Sequence, residues 1–103
     1  MLNSNKISKL RKELKKSKEA YLSPFQALSD LNRLRIFRLL SIHPGICVTE
    51  LANVLNLTVP AVSQHLRVLE MSGLVKKERV GQMSCYQIKK SSPLIRNLIR
   101  LLR

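Results

Sequence analysis

Between Thr58 and Gly73 the chain divides into two opposed faces. At about 100° per residue, Val62, Leu66 and Leu69 stack into one apolar stripe, the i, i+4, i+7 pattern of a core-facing helix side. Pro60, Ser63, Gln64 and Arg67 fall on the other side. Short polar side chains and one guanidinium on an exposed helix face suit the hydrogen-bonding edges in a DNA major groove. Ser63 and Gln64 are the base-edge candidates, because Gln pairs bidentately with adenine and Ser adapts to any base. Thr58 and Val59, at the helix N-terminus, are placed for a phosphate or a thymine methyl, helped by the helix dipole. Arg67, Lys76, Lys77, Arg79 and Gln82 are candidates for backbone phosphates, with a hairpin reaching into a minor groove; a solvated surface residue is the competing reading of each. His65 lies about 65° from the apolar stripe on a helical wheel. It reads equally as a half-buried rim histidine or as a DNA contact.

The remaining reactive side chains offer less. Two cysteines, two histidines and six scattered acids form no nucleophile–base pair, carboxylate dyad or metal–water site, and no glycine-rich phosphate loop occurs. The expectation is a binding protein, not an enzyme, with no cofactor. Cys47 precedes the helical pair and Cys85 lies in the second strand of the hairpin. Ile46-Cys47-Val48 is a short β-favouring run; if it lies beside the second hairpin strand, alternation along both puts the two thiols on one face of a small sheet. Two small buried hydrophobes, the usual role of free Cys, is the competing reading; a thiol switch is the functional one.

These groups are positioned by a short series of elements. Ile7, Leu10, Leu14 and Tyr21 form a narrow seam that predicts a helix from about Lys6 to Ala20, otherwise covered by seven Lys or Arg. Ser23-Pro24 predicts a restart, with Ser as N-cap and Pro first in the helix. Asp30 is the expected cap of the next helix, whose core comes from Leu31, Leu34 and the Ile36–Leu40 run. His43-Pro44-Gly45 ends it. Thr49 is read as the cap of a helix from Glu50 to Leu55, and Thr58 as the cap of the two-faced helix. Leu74–Arg79 and Ser84–Lys89 are read as hairpin strands around Gly81-Gln82. Ser92-Pro93 opens a last helix with Leu94, Ile95, Leu98, Ile99 and Leu102 apolar and Arg96, Arg100 and Arg103 outward.

Composition sets the class of partner. Nineteen Lys and Arg against six acids give a net charge of +13, which favours a polyanion: nucleic acid first, an anionic membrane second. Four aromatics and no Trp argue against base-stacking platforms for single strands or RNA. A length of 103 residues suits one domain with one modest core. No stretch approaches the ~20 apolar residues of a membrane span. The basic N-terminus lacks the apolar core of a secretory signal, and two Cys imply a reducing compartment, so a cytoplasmic protein is expected.

The runs FQALSDLNRLRIFRLL, TELANVLNLTVPAVSQHLRVLEMSGLV and KKERVGQMSCYQI, from Phe25 to Ile88, resemble the ArsR/SmtB family of repressors. That resemblance implies a mainly α fold with a small β-hairpin wing, a winged helix-turn-helix, in which the Ile46-Cys47-Val48 run lies beside the second hairpin strand. It implies one domain over residues 1–103: an N-terminal dimerisation helix over 6–22, a winged-helix core over 24–90 and a C-terminal dimerisation helix over 92–103. A homodimer pairing Ile7, Leu10 and Leu14 with Leu94, Ile95, Leu98, Ile99 and Leu102 follows, binding an inverted repeat of double-stranded DNA. An all-helical packing domain with a basic surface leaves the hairpin unexplained. A membrane-surface reading of the first helix meets a narrow apolar face lacking Phe and Trp. A non-specific nucleoid protein is a third alternative.

The chain departs from the resembled family at its metal sites. The family's CVC motif corresponds to Cys47, Val48 and Thr49, leaving one thiol. Its second site, with Asp and His ligands on the last helix, corresponds to Leu94–Arg100, which holds neither. A lone Cys without nearby Cys, His or carboxylate is a weak site, so no metal is expected in either place.

Overall fold

The computed structural model describes residues 1–15 and 22–102, except for the side chain of Leu22. Tyr21 and Arg103, placed on the terminal helices above, lie outside the described residues. The order is α1 (Ser4–Lys15), α2 (Leu22–Leu28), α3 (Leu31–Ile42), α4 (Val48–Leu55), α5 (Val59–Met71), β1 (Val75–Val80), β2 (Met83–Ile88) and α6 (Pro93–Leu102). A trihelical core with an antiparallel hairpin and flanking helices is a winged helix-turn-helix.

Local chemistry fixes the boundaries. Asp30 caps α3, its Oδ1 accepting from the Arg33 backbone N–H at 3.0 Å. Thr58 caps α5, its Oγ1 accepting from Ala61 N–H at 3.2 Å, with Pro60 in the first turn where no donor is needed. Between α4 and α5, Asn56 takes the left-handed conformation (φ 55°) that Asn tolerates. Leu57 N–H then returns to the Ala52 carbonyl at 3.0 Å. Gly81, at φ 62°, takes the first position of the two-residue turn between the strands, where a positive φ favours glycine.

Three boundaries differ from expectation. α2 begins at Leu22, so Ser23 lies inside its first turn rather than capping it. α4 begins at Val48 with Cys47, not Thr49, as its N-cap residue; the Glu50 carboxylate reaches back to the Cys47 N–H at 3.0 Å, the reciprocal half of a capping box. That bond fixes the start two residues early. The strands are each displaced by about a residue, because Leu74 is already committed to closing α5 through its N–H to the Leu69 carbonyl.

The core forms around Ile36, Phe37, Leu51, Val62, Leu66, Leu69 and Leu74, all sealed from solvent, joined by Ile88 and by Ile95, Leu98 and Ile99 of α6. Leu31 is not part of it: it sits at the exposed first position of α3, at 59% exposure. The stripe on α5 is as expected. Truncating a buried Leu such as Leu66 to Ala costs roughly 2–5 kcal/mol. α1 is the opposite case and buries no residue at all. The molecule is accordingly long, 60 × 25 × 22 Å with a radius of gyration of 17.5 Å, against ~13 Å for a compact chain of this size.

Candidate nucleic-acid interface

Burying Val62, Leu66 and Leu69 forces the remaining side of α5 outward. Pro60, Ser63, Gln64 and Arg67 are all exposed on it. The hairpin supplies a second wall. Its register pairs Lys77 with Tyr86 and Arg79 with Ser84, and directly opposed residues in an antiparallel pair share a face. Lys77, Ser84 and Tyr86 therefore meet Pro60, Ser63, Gln64 and Arg67 across an open groove of about 350 Å³, with Val48 at its end. Two cations and several short polar groups line it, and no acid does.

The register also separates two residues that the sequence placed together. Lys76 pairs with Gln87 and points to the other face of the hairpin, beside Leu40, Pro44, Gln87 and Lys90. Lys77 alone of the two faces α5. Arg79 and Gln82 are exposed toward the tip of the hairpin, on which no contact to α5 is imposed. Thr58, Val59 and Pro60 sit together at the start of α5, all exposed.

His65 is held elsewhere. Its side chain is 21% exposed, with Nδ1 4.0 Å from Asp30 Oδ1 and 3.5 Å from Arg33 Nη1. Arg33 in turn donates from Nε to the Ala27 carbonyl at 2.8 Å, so His65 joins a junction between α2, α3 and α5. The Asp30 carboxyl is held below its ordinary value, first by the Arg33 backbone N–H and then by the nearby Arg33 and His65 charges, with burial opposing. The geometry gives His65 the rim position that sequence left as one of two readings.

Tyr86 and Ser84 were not singled out from sequence, although both line the groove. Tyr86 is 8% exposed, and burial, more than the nearby Glu70, raises its phenol pKa while Arg67 pulls it down. A two-residue turn at Gly81-Gln82 makes the pairing of Lys77 with Tyr86 unavoidable, so the signal was present in the hairpin count. Among the described residues no three His, Cys, Asp or Glu side chains converge as metal ligands.

Comparison with known proteins accords with this geometry. The profile described as "Bacterial regulatory protein, arsR family" matches residues 30–77. The cadmium resistance transcriptional regulatory protein CadC homolog of Staphylococcus aureus is 30% identical over 88 residues, covering 84% of this chain and 73% of that protein. The chain belongs to the ArsR family. Against two other cadmium regulators of this family, from Listeria innocua and Lactococcus lactis, it spans about half of their length, 55% in each case. Among solved ArsR-like structures, the transcriptional regulator HlyU of Vibrio vulnificus superposes with a TM-score of 0.73 at 30% identity, over 88% of this chain and 92% of that one. A homodimeric winged helix-turn-helix DNA-binding domain from Mycobacterium bovis shares the fold, with a TM-score of 0.70 at 22% identity over 99% of this chain and 84% of that one. ArsR/SmtB-type transcriptional regulation is thus the function class of this chain, and no helix among the described residues is long and apolar enough to cross a membrane.

Proposed function

We propose that the chain is a cytoplasmic, homodimeric repressor that binds an inverted repeat, acting by occupancy and not by catalysis. The observation that carries this reading is the groove between α5 and the hairpin: one wall of short hydrogen-bonding groups, one wall with a cation. α5 enters the major groove, where Ser63 and Gln64 read base edges. Thr58, Val59 and Pro60 approach the backbone at the helix N-terminus. Arg67 and Lys77 flank the base-reading pair and hold phosphates, while Arg79 and Gln82 follow the DNA outward along the wing. Lys76 and His65 are left with supporting roles, the first as long-range positive charge and the second as a packing residue.

Dimerisation rests on α1. Ile7, Leu10 and Leu14 are 38%, 43% and 67% exposed, a seam on a helix that contributes nothing to its own protomer's core. A single recognition helix reads only a few base pairs, and two-fold symmetry doubles that. The M. bovis domain of the same fold is homodimeric, which supports a two-chain assembly. On α6 the half-buried Leu94 and Leu102 and the exposed Leu101 remain available to a partner, whereas Ile95, Leu98 and Ile99 serve the protomer's interior.

The S. aureus relative is named for cadmium. Cys47 is not the lone thiol expected from sequence, since the Cys85 sulfur lies 3.2 Å away. This chain is nevertheless proposed to respond to no metal at the family sites, because Thr49 stands in place of the second Cys of the motif, α6 carries neither Asp nor His, and no third ligand joins the two thiols among the described residues. Titration with zinc, cadmium and arsenite followed by calorimetry should show no stoichiometric binding; binding that Cys47→Ser abolishes would overturn this. The function itself is tested by selecting DNA from a random duplex pool. Enrichment of an inverted repeat bound by two chains is expected, and a pool that emerges unenriched would contradict sequence-specific binding.

A further inference from the structure

Cys47 lies directly opposite Cys85 in a single antiparallel bridge on the far edge of β2. Both thiols are free, and their sulfurs are 3.2 Å apart. Directly opposed residues of antiparallel strands have Cα atoms about 4.5–5.5 Å apart, inside the range a disulfide spans. The bond requires only that the sulfurs close by about 1 Å, to near 2.05 Å. Neither residue is isolated from the site: Cys47 is the N-cap of α4 and precedes Val48, while Cys85 separates Ser84 from Tyr86, and all three neighbours line the groove.

We propose that Cys47 and Cys85 form a reversible intramolecular disulfide that ties the wing to α4 and thereby weakens binding to DNA. A peroxide is the oxidant. The half-buried Cys47 is the sulfur an oxidant reaches; as thiolate it attacks one peroxide oxygen, the O–O bond breaks, and hydroxide leaves to become water. Cys47 is now a sulfenic acid. The buried Cys85, as thiolate, attacks that sulfur; the S–S bond forms, the S–O bond breaks, and a second water departs after protonation. Two thiols have lost two protons and two electrons, and one hydrogen peroxide has become two waters. A reducing dithiol reverses the change.

The same contact sets the speed. The hydrogen bond to Cys85, then burial and Glu50, push the Cys47 thiol up to about 11. The reactive thiolate is therefore scarce at neutral pH, and closure accelerates roughly tenfold per pH unit through the mildly alkaline range. The pair is a slow switch, set by sustained oxidation. Its consequence for the groove follows from position: the bond pins β2 to the start of α4, and Val48, Ser84 and Tyr86, which flank the two cysteines, line the groove beside Lys77, so the wing loses its freedom to adjust to the DNA backbone.

The effect on DNA rests on the DNA-binding reading; the bond itself does not. The test treats the full chain with millimolar hydrogen peroxide at mildly alkaline pH, alkylates, digests, and maps cross-links by mass spectrometry. A linked pair of peptides carrying Cys47 and Cys85, two hydrogens lighter and independent of protein concentration, is expected. It should be absent in Cys47→Ser and Cys85→Ser; Ser is itself a good N-cap, so the first of these keeps α4 intact. The oxidised wild type should melt on the order of 10 °C higher, because the bond closes a long loop. It should bind its selected DNA about tenfold more weakly, with dithiothreitol restoring affinity and Cys47→Ser unaffected by peroxide. Fully alkylated thiols after peroxide, or links only between chains, would overturn the disulfide. A linked protein that binds DNA as well as the reduced one would overturn its regulatory consequence. Failure of the reduced protein to bind any DNA would instead sink the DNA-binding reading and leave the peptide map to decide the bond.

Discussion

α1 and α6 are both amphipathic, α6 the more apolar of the two, and they end in opposite environments. Each is short, with an apolar seam set against basic residues. In α6 the seam turns inward: Ile95, Leu98 and Ile99 are 5–8% exposed. In α1 every residue remains exposed. Amphipathicity states that a face must be covered and is silent on what covers it. α6 follows directly on the hairpin, with Arg96 donating from Nη1 to the Lys90 carbonyl at 2.9 Å, so its seam is delivered to α3 and the core. The seam of α1 stays exposed, and a second chain is the proposed cover.

Charge substitutions break this comparison most sharply. Leu98→Glu should cost about 3 kcal/mol or more by stranding an unpaired charge in the core, and circular dichroism should show loss of the cooperative melt. Leu10→Glu, on a residue 43% exposed, should leave the protomer's fold intact, since surface substitutions stay within about 0.5 kcal/mol, yet give monomers in sedimentation and lose tight DNA binding. If Leu10→Glu unfolds the chain, or if it remains a dimer, the two helices do not differ as described.

An intermediate effect is expected at the rim where α2, α3 and α5 meet. Asp30→Ala removes a cap worth about 1 kcal/mol, or roughly 4–8 °C in the midpoint of a chain this size. The Asp30 carboxyl is held below its ordinary value of 3.8. Its contribution is therefore present above that value and lost as pH falls through the folded one. Melting curves of wild type and variant should differ at neutral pH and converge in strong acid; a difference that persists there would remove the carboxylate from the explanation.

Much of this was legible in the sequence. The spacing of Val62, Leu66 and Leu69 gave the inward face of α5, and the outward face followed by elimination. Asp30, Thr58 and Pro60 marked helix starts through their own hydrogen-bonding chemistry. Cys47 did not, because Glu50 supplies the capping bond from three residues on. Leu31 was misplaced because its apolar character competes with a position in the first turn, which faces solvent. For Ile95, Leu98 and Ile99 the seam was visible, but its burial within the protomer depends on where the hairpin delivers α6. The facing of Lys76 and Lys77 needed only the hairpin register. That pair gives the smallest expected effect: Lys77→Ala should lower the salt dependence of DNA binding by about one counterion, whereas Lys76→Ala should leave the slope nearly unchanged. Equal effects from the two would mean that the hairpin does not present one face to DNA.

The outward face of α5 as the reader of sequence is tested most directly by one binding measurement. Wild type and the double variant Ser63→Ala, Gln64→Ala are titrated at fixed salt against the selected inverted repeat and a shuffled duplex of the same composition. The wild type should prefer the repeat, and the variant should lose about 1–3 kcal/mol of that preference per matched base while holding the shuffled duplex as before. Equal affinity of the wild type for both duplexes, or an unchanged preference in the variant, would contradict the assignment.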